Sequence, residues 1–236
     1  MSQGQENSNR KPFLTINETP VFLSEDWDTG IGGGLWSTGL AIATYLSQHP
    51  NHALGNLKGK KQYSFLELGS GNGFLAACFM ALQKDLFHPL VITDFEDHLP
   101  LIEKTLDENS HLQSDTSSPI VIEHAWGEFP DKESSIGDDV SGNNPPPLNQ
   151  TYDLILGSDV AYRDHLHDPL IQSLLHFSHK DTSILLGVTM SDTRPIFFQK
   201  LNDAGFSYTR LSNHLLDQQF RGTTFGIFVV HRTPSK

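Results

Sequence analysis

Hydrophobic residues along the chain fall into short runs whose spacing alternates between strand and helix periods. Residues 63–68 form a β-prone run that leads into a glycine cluster, and the apolar segment 74–82 that follows has the length of a helix. This pattern predicts a strand, a tight turn and a helix. Further strand-like runs alternate with helical ones, at residues 90–94, 119–123, 154–156 and 183–188. The alternation predicts an α/β fold, in which helices cover both faces of a mostly parallel sheet.

The N-terminal part of the chain lacks this alternation. Residues 1–12 are polar and aperiodic, and are predicted to be a disordered tail. Short β-like runs between residues 13 and 23 predict a hairpin. Apolar residues then recur at helical spacing through 35–46, which predicts a helix that Ser37 or Thr38 would cap.

The chain after the polar tail is predicted to form one domain. A length of 236 residues with 37% apolar content suffices for a single core. Residues 131–150 are rich in Ser, Gly, Asp, Asn and Pro, which predicts an exposed flexible loop inserted into that domain. We therefore expect the domain to span 13–236, with 13–62 forming its N-terminal hairpin and helix.

Charge and cysteine content bear on the binding partners of the protein and on its cellular compartment. Lys+Arg 16 against Asp+Glu 28 gives a formal net charge of -12, which argues against nucleic acid or a membrane as partner. A basic protein partner would suit this charge, although an acidic surface that only confers solubility needs no partner. Cys78 is the only cysteine, which excludes an internal disulfide and is compatible with a reducing compartment. No apolar run approaches the ~20 residues that cross a bilayer, and no signal-peptide core is visible at the N-terminus. A cytoplasmic or nuclear monomer is expected.

The glycine cluster carries the first chemical information. Its spacing is Gly69-x-Gly71-x-Gly73, whereas a dinucleotide fingerprint would require its third glycine at Phe74. A glycine turn before a helix lets the backbone approach a ligand closely, and free amides at the helix start favour an electron-rich group. With Glu67 in front, the E-x-G-x-G-x-G pattern resembles motif I of the S-adenosylmethionine methyltransferases of seven-strand, Rossmann-like fold.

Asp94 ends the next predicted strand. At the carboxyl end of a strand beside the glycine turn, its carboxylate could accept hydrogen bonds from both hydroxyls of a ribose. Such an acid occurs in NAD sites and in S-adenosylmethionine sites, so it predicts a nucleoside without choosing between them. A helix cap is the structural alternative, but Asp97 before Pro100 fills that role better.

Three further patterns carry a more specific resemblance. Trp36 opens a helix of small residues ahead of the glycine cluster, Trp126-Gly127 follows the third strand, and Asp159-x-x-Tyr162 follows the strand at 154–156. Together with motif I they resemble the family 16 protein methyltransferases, the group that holds the METTL21-type lysine methyltransferases. The resemblance implies a seven-strand Rossmann-like fold with an antiparallel last strand, for which runs at 206–211 and 224–230 are available.

The resemblance also implies the site. S-adenosylmethionine would be the cofactor and S-adenosylhomocysteine the product, with Asp159 and Tyr162 beside the transferred methyl group and the substrate amine. The residues expected to contact the cofactor are Trp36, Glu67, Gly69, Ser70, Gly71, Asp94, Phe95, Trp126 and Ser158. Asp159 would orient a neutral amine, and Tyr162 would wall the channel that holds its alkyl stem.

The function that these patterns predict is methyl transfer to a protein side chain, first of all lysine, on a substrate with a basic or lysine-bearing surface. Methylation of a histidine or of a small molecule, and a non-catalytic scaffold that only binds the cofactor, remain alternatives. Twelve histidines raise the question of a metal, but the pairs His165/His167 and His176/His179 have no ligand motif around them, so no metal site is predicted.

Overall fold

The computed structural model describes residues 11–54, 61–82, 86–113, 118–130 and 147–233. The predicted tail up to residue 10, and positions 131–146 of the predicted loop, lie outside these ranges. The described strands are β1 Leu14–Ile16, β2 Thr19–Val21, β3 Tyr63–Leu68, β4 Phe87–Asp94, β5 Ile120–Glu123, β6 Tyr152–Ser158, β7 Ser178–Thr189, β8 Phe206–Arg210 and β9 Phe225–Arg232. The α-helices are α1 Ser37–Gln48, α2 Pro50–Leu54, α3 Phe74–Leu82, α4 Leu99–Glu108, α5 His167–Phe177 and α6 Pro195–Asp203.

The main sheet has seven strands in the order β5-β4-β3-β6-β7-β9-β8. The pairs from β5 to β7 are parallel, whereas β9 runs antiparallel to both β7 and β8. This confirms the predicted fold, including the antiparallel last strand. The chain leaves β3 towards β4 on one side and later returns to β6 on the other, so the order reverses at β3. In open α/β sheets, ligands bind outside the carboxyl ends of the strands at such a reversal.

Alternate residues of β3 belong to the two cores on opposite faces of the sheet. Phe65 packs with α1 and α3, and Leu66 packs with α5 and α6. Every residue of α3 is buried, including the free thiol of Cys78. A helix without a polar face needs cover on all sides. The predicted hairpin, β1 with β2, supplies part of that cover: Phe13 meets Phe74 edge-on with ring centroids 5.2 Å apart, and Asn17 Nδ2 donates to the carbonyl of Leu82 at 2.7 Å.

The predicted helix caps were wrong. Trp36 occupies the N-cap of α1, and neither Ser37 nor Thr38 caps the helix. Asp97 does not cap α4, because the 3-10 turn Glu96–His98 runs directly into that helix and leaves His98 at its N-cap. Among the described residues, no helix has both the length and the hydrophobicity needed to span a bilayer.

Candidate active site

A cavity of about 470 Å³ lies at the carboxyl ends of β3, β4 and β6. This is where the reversal of strand order predicts a ligand. All the site residues expected from the sequence line it except Glu67: Trp36, Gly69, Ser70, Gly71, Asp94, Phe95, Trp126, Ser158, Asp159 and Tyr162. Segments far apart in the chain therefore converge on one site.

The glycine turn is built from a backbone that other residues adopt only with strain. Gly69 and Gly71 have φ values of +62° and +67°, in the left-handed region. A Cβ on Gly69 would lie 2.7 Å from Cζ2 of Trp126, and one on Gly71 would lie 2.6 Å from the carbonyl oxygen of Gly32. The motif spacing thus follows from both the turn and the close approach of neighbouring segments.

Asp94 is held by three donors or potential donors. Its Oδ2 accepts from the Gly71 N–H at 2.7 Å, and its Oδ1 accepts from the Phe95 N–H at 2.7 Å. The Nδ1 of His98 lies 3.0 Å from the same Oδ1. A carboxylate offers about four lone-pair positions. Asp94 therefore fixes the glycine turn and keeps one position on Oδ2 for a ligand hydroxyl, not two as the sequence suggested.

His98 is a site residue that the sequence patterns missed. It is buried, it lines the cavity, and its Nε2 has no hydrogen-bond partner among the described residues. The imidazole also lies under the backbone of Gly32, where an added Cβ would come within 2.7 Å of Nε2. Its position four residues after Asp94, at the start of a helix, was the available signal.

Glu67 is placed differently from the other predicted residues. It is 1% exposed and lies outside the cavity wall, and its Oε2 has no hydrogen-bond partner among the described residues. Burial raises the pKa of Glu67 to about 8, the nearby charge of Asp94 adds to this increase, and the neighbouring polar groups of Ser70 and Ala76 oppose it. Its predicted contact with the cofactor stays a prediction.

Asp159 joins three elements through its carboxylate. Its Oδ2 accepts from the Thr38 N–H in the first turn of α1 at 3.0 Å, and its Oδ1 accepts from the Thr189 hydroxyl at the end of β7 at 2.7 Å. Its φ of +54° is left-handed, which Asp tolerates better than most residues. Asp159 thus supplies to α1 the cap that Ser37 and Thr38 were expected to provide.

A segment that we call the strap, residues 24–36, crosses the cavity from the hairpin to α1. It contains two short 3-10 turns, Trp27–Thr29 and Ile31–Gly33. Glu25 Oε1 accepts from the Leu35 N–H at 2.9 Å, and Trp36 Nε1 donates to the carbonyl of Ile31 at 2.6 Å. These bonds place Trp36 against the cavity, with 44% of its surface still exposed.

The turn that carries Trp126 is fixed from α5. The Ser173 hydroxyl accepts from the Gly127 N–H at 3.0 Å and lies 3.0 Å from His124 Nε2. Burial, with a smaller effect from His176, lowers the pKa of His124 to about 4. His124 is therefore neutral at pH 7, and its Nε2 can accept the Ser173 proton. Neither Ser173 nor His124 was predicted.

These features fit a nucleoside with an attached polar chain. Glycine backbone, one carboxylate lone pair and the aromatic side chains of Phe95 and Trp126 face the same space. Tyr162, which is half-buried, lines the side near Asp159 and is followed by Arg163, whose guanidinium carbon lies 5.9 Å from the tyrosine ring centroid. Within the described ranges there is no group of three or more side chains placed to bind a metal ion.

Solved structures superpose on this chain over most of its length. A ribosomal protein L11 methylase from Lactobacillus delbrueckii subsp. bulgaricus superposes with a TM-score of 0.56 at 15% identity, covering 96% of this chain and 91% of that one. The glycopeptide N-methyltransferase MtfA complexed with sinefungin gives a TM-score of 0.55 at 12% identity, covering 84% and 95% of the two chains. At these identities the likeness establishes the fold.

Sequence comparison establishes the family. The protein-lysine N-methyltransferase EFM6 of Saccharomyces cerevisiae is 28% identical over 158 residues, 64% of this chain and 60% of that protein. The protein N-lysine methyltransferase METTL21A of Danio rerio is 29% identical over 174 residues, 73% of this chain and 68% of that protein. The alignments thus span about two thirds or less of these relatives. The family model described as lysine methyltransferase matches residues 15–204, which contain the strap, the glycine turn and Asp159. The chain belongs to the lysine methyltransferase family.

Proposed function

We propose that this protein transfers a methyl group from S-adenosylmethionine to a lysine side chain of another protein. The observation that carries the proposal is the convergence of Asp159 and Tyr162 with the glycine turn and Asp94 on one cavity. Membership of the lysine methyltransferase family supports the choice of acceptor.

The cofactor end of the cavity is built from residues that would hold a nucleoside. Asp94 would accept a ribose hydroxyl at its free lone-pair position, and Phe95 and Trp126 would contact the adenine. Gly69, Gly71 and the residues around Trp36 and Ser158 leave room for the polar chain. S-adenosylmethionine, when bound, supplies an electrophilic methyl group on its sulfonium.

At the other end, this chain must hold a lysine amine and remove its charge. An unperturbed lysine has a pKa near ~10.4, so its amine is protonated at pH 7. The carboxylate of Asp159 alone would favour the ammonium form, whereas burial disfavours it. We infer that Asp159 orients the amine through lone pairs not used by Thr38 and Thr189, and that Tyr162 and Trp36 exclude the water that stabilises its charge.

The proposed partner is a protein with a basic, lysine-bearing surface, which the net charge of -12 would attract. The free and buried Cys78 agrees with a reducing compartment, so we propose the cytoplasm or the nucleus as the location. A fluorescent fusion imaged in living cells would test the location.

The function is tested by calorimetric titration with S-adenosylmethionine and, in parallel, with NAD, followed by incubation of the protein with cell lysate and radiolabelled methyl donor. We expect binding of S-adenosylmethionine only, and label in a protein band that mass spectrometry assigns to lysine. Label on histidine would change the acceptor, and binding without a labelled protein would favour a small-molecule enzyme or a scaffold. Absence of binding would refute the cofactor assignment.

A further inference from the structure

Hydrophobic side chains are concentrated at one place on the surface. Trp27 and Ile31, both on the strap, are 56% and 52% exposed. Trp36 and Phe95, which line the cavity, are exposed as well. Of the eight large hydrophobic side chains that are exposed in the described residues, these four lie at or beside the cavity. Such a concentration on a folded protein marks an interaction surface.

Trp27 is held in place while much of its ring stays open. Its ring centroid lies 5.8 Å from that of Trp36 at an interplanar angle of 73°, and a Cβ on Gly34 would come within 1.9 Å of its Cζ2. The indole therefore covers the backbone at Gly34 and has little freedom to move. A fixed, half-exposed tryptophan loses little entropy on binding and is a typical energetic anchor of protein interfaces.

The segment of the chain that carries Trp27 is acidic. The chain contains no Lys or Arg from residue 12 through residue 57, and the strap carries three exposed acids, Glu25, Asp26 and Asp28. The first two have structural tasks, because they accept from the Leu35 and Asp28 amides. The carboxylate of Asp28 makes no hydrogen bond or ion pair with another described residue. Glu96 and Asp97 add two exposed acids beside Phe95.

The strap leads directly to the acceptor end of the cavity. Trp27 contacts Trp36, which is the N-cap of α1. Two residues later, the Thr38 N–H binds the carboxylate of Asp159. A polypeptide bound over Trp27 would therefore lie next to the place where the amine must enter.

We propose that the outer surface of the strap is the docking site for the protein substrate, and that it binds a segment rich in lysine or arginine. The aliphatic stems and cationic groups of such a segment match the rings of Trp27 and Trp36, the side chain of Ile31 and the charge of Asp28. The inference rests on the proposed function, because it requires a protein substrate.

The test uses the substrate identified by label transfer, purified, with the full-length enzyme. Trp27→Ala removes the anchor and Asp28→Lys reverses the free charge. Glu103→Lys, at an exposed position of α4, makes the same change in net charge elsewhere and is the matched control. We expect Trp27→Ala to raise the KM for the substrate about tenfold or more. Asp28→Lys should raise KM several-fold at low salt, and high salt should reduce its difference from Glu103→Lys. The Kd for S-adenosylmethionine should change less than about twofold in all three.

The outcomes separate the two proposals. If the wild type labels no protein, the proposed function fails and the docking site with it. If the wild type labels a substrate but Asp28→Lys and Glu103→Lys have equal KM values, the docking site alone is refuted. If Trp27→Ala also weakens cofactor binding, its KM does not report on docking alone. The comparison of Asp28→Lys with Glu103→Lys then decides whether the docking site exists. A concentration-dependent dimer that Trp27→Ala abolishes in sedimentation would assign this surface to a second copy and overturn the inference.

Discussion

The two tasks of Asp159, in structure and in chemistry, can be separated by a pair of substitutions. Asp159→Ala removes the acceptor for the Thr38 N–H and for the Thr189 hydroxyl, and places alanine at a φ of +54°. Loss of a helix cap costs about 1 kcal/mol, and a left-handed alanine about 1 kcal/mol more. We therefore expect a loss of about 2 kcal/mol in the free energy of unfolding, which lowers Tm by about 4–8 °C in a chain of this size.

Asp159→Asn should keep the structure and lose the charge. Its amide oxygen can still accept from the Thr38 N–H, its amide nitrogen can donate to the Thr189 hydroxyl, and asparagine tolerates a positive φ. The cost in stability should therefore stay below about 1 kcal/mol. Turnover should nevertheless fall about 10- to 100-fold, because a hydrogen bond to a charged group contributes about 1.5–3 kcal/mol.

Thermal melts, calorimetric titration of S-adenosylmethionine and initial rates of label transfer on the three proteins would measure these effects. An Asp159→Asn enzyme with normal cofactor affinity and full turnover would refute the proposed role of the carboxylate in holding the amine. An Asn variant as unstable as the Ala variant would instead refute our account of the cap.

Three other residues give predictions that depend on different parts of the site. Because burial raises the pKa of Glu67 from 4.5 to about 8, its protonated form stabilises the fold, and this contribution is complete below pH 4.5 and lost as pH rises to about 8. In urea unfolding, the free energy of unfolding of Glu67→Gln should therefore equal that of the wild type at pH 4.5 and exceed it by ~3 kcal/mol at pH 7. Parallel pH profiles of the two proteins would contradict this. Gly71→Ala should abolish cofactor binding in calorimetry, since its Cβ would lie 2.6 Å from the Gly32 carbonyl oxygen. Gly205→Ala, also at positive φ but with its nearest contact at 3.9 Å, should only lose stability. Ser173→Ala should speed amide exchange at Gly127 and weaken cofactor binding a few-fold, whereas unchanged exchange would show that Ser173 does not hold the Trp126 turn.

Sequence patterns located the parts of the site that depend on local backbone. The glycine spacing predicted a turn whose backbone only glycine adopts easily. The place of Asp94 in the site could also be predicted, because parallel strands bring their carboxyl ends to one edge of the sheet. Hydrogen bonds between residues that are far apart in the chain had no such signal in the sequence. Thr189 meets Asp159 across 30 residues, Ser173 meets Gly127 across 46, and the cap of α1 comes from 121 residues away.

The strap shows the same limit. The small size of its glycines lets other groups come close to the backbone. The ring of Trp27 lies on Gly34, and the imidazole of His98 lies under Gly32. Such contacts depend on tertiary packing, which periodicity does not encode.

The position of β9 between β7 and β8 has a consequence for synthesis on the ribosome. Among the described strands β8 pairs only with β9, so it has no neighbouring strand until residues 225–232 have left the exit tunnel. Until then the twelve-residue β7 also presents an unpaired edge, a feature that promotes intermolecular association. A premature stop codon shortly before position 225 should therefore yield a chain that aggregates, even though every residue lining the cavity has already been made.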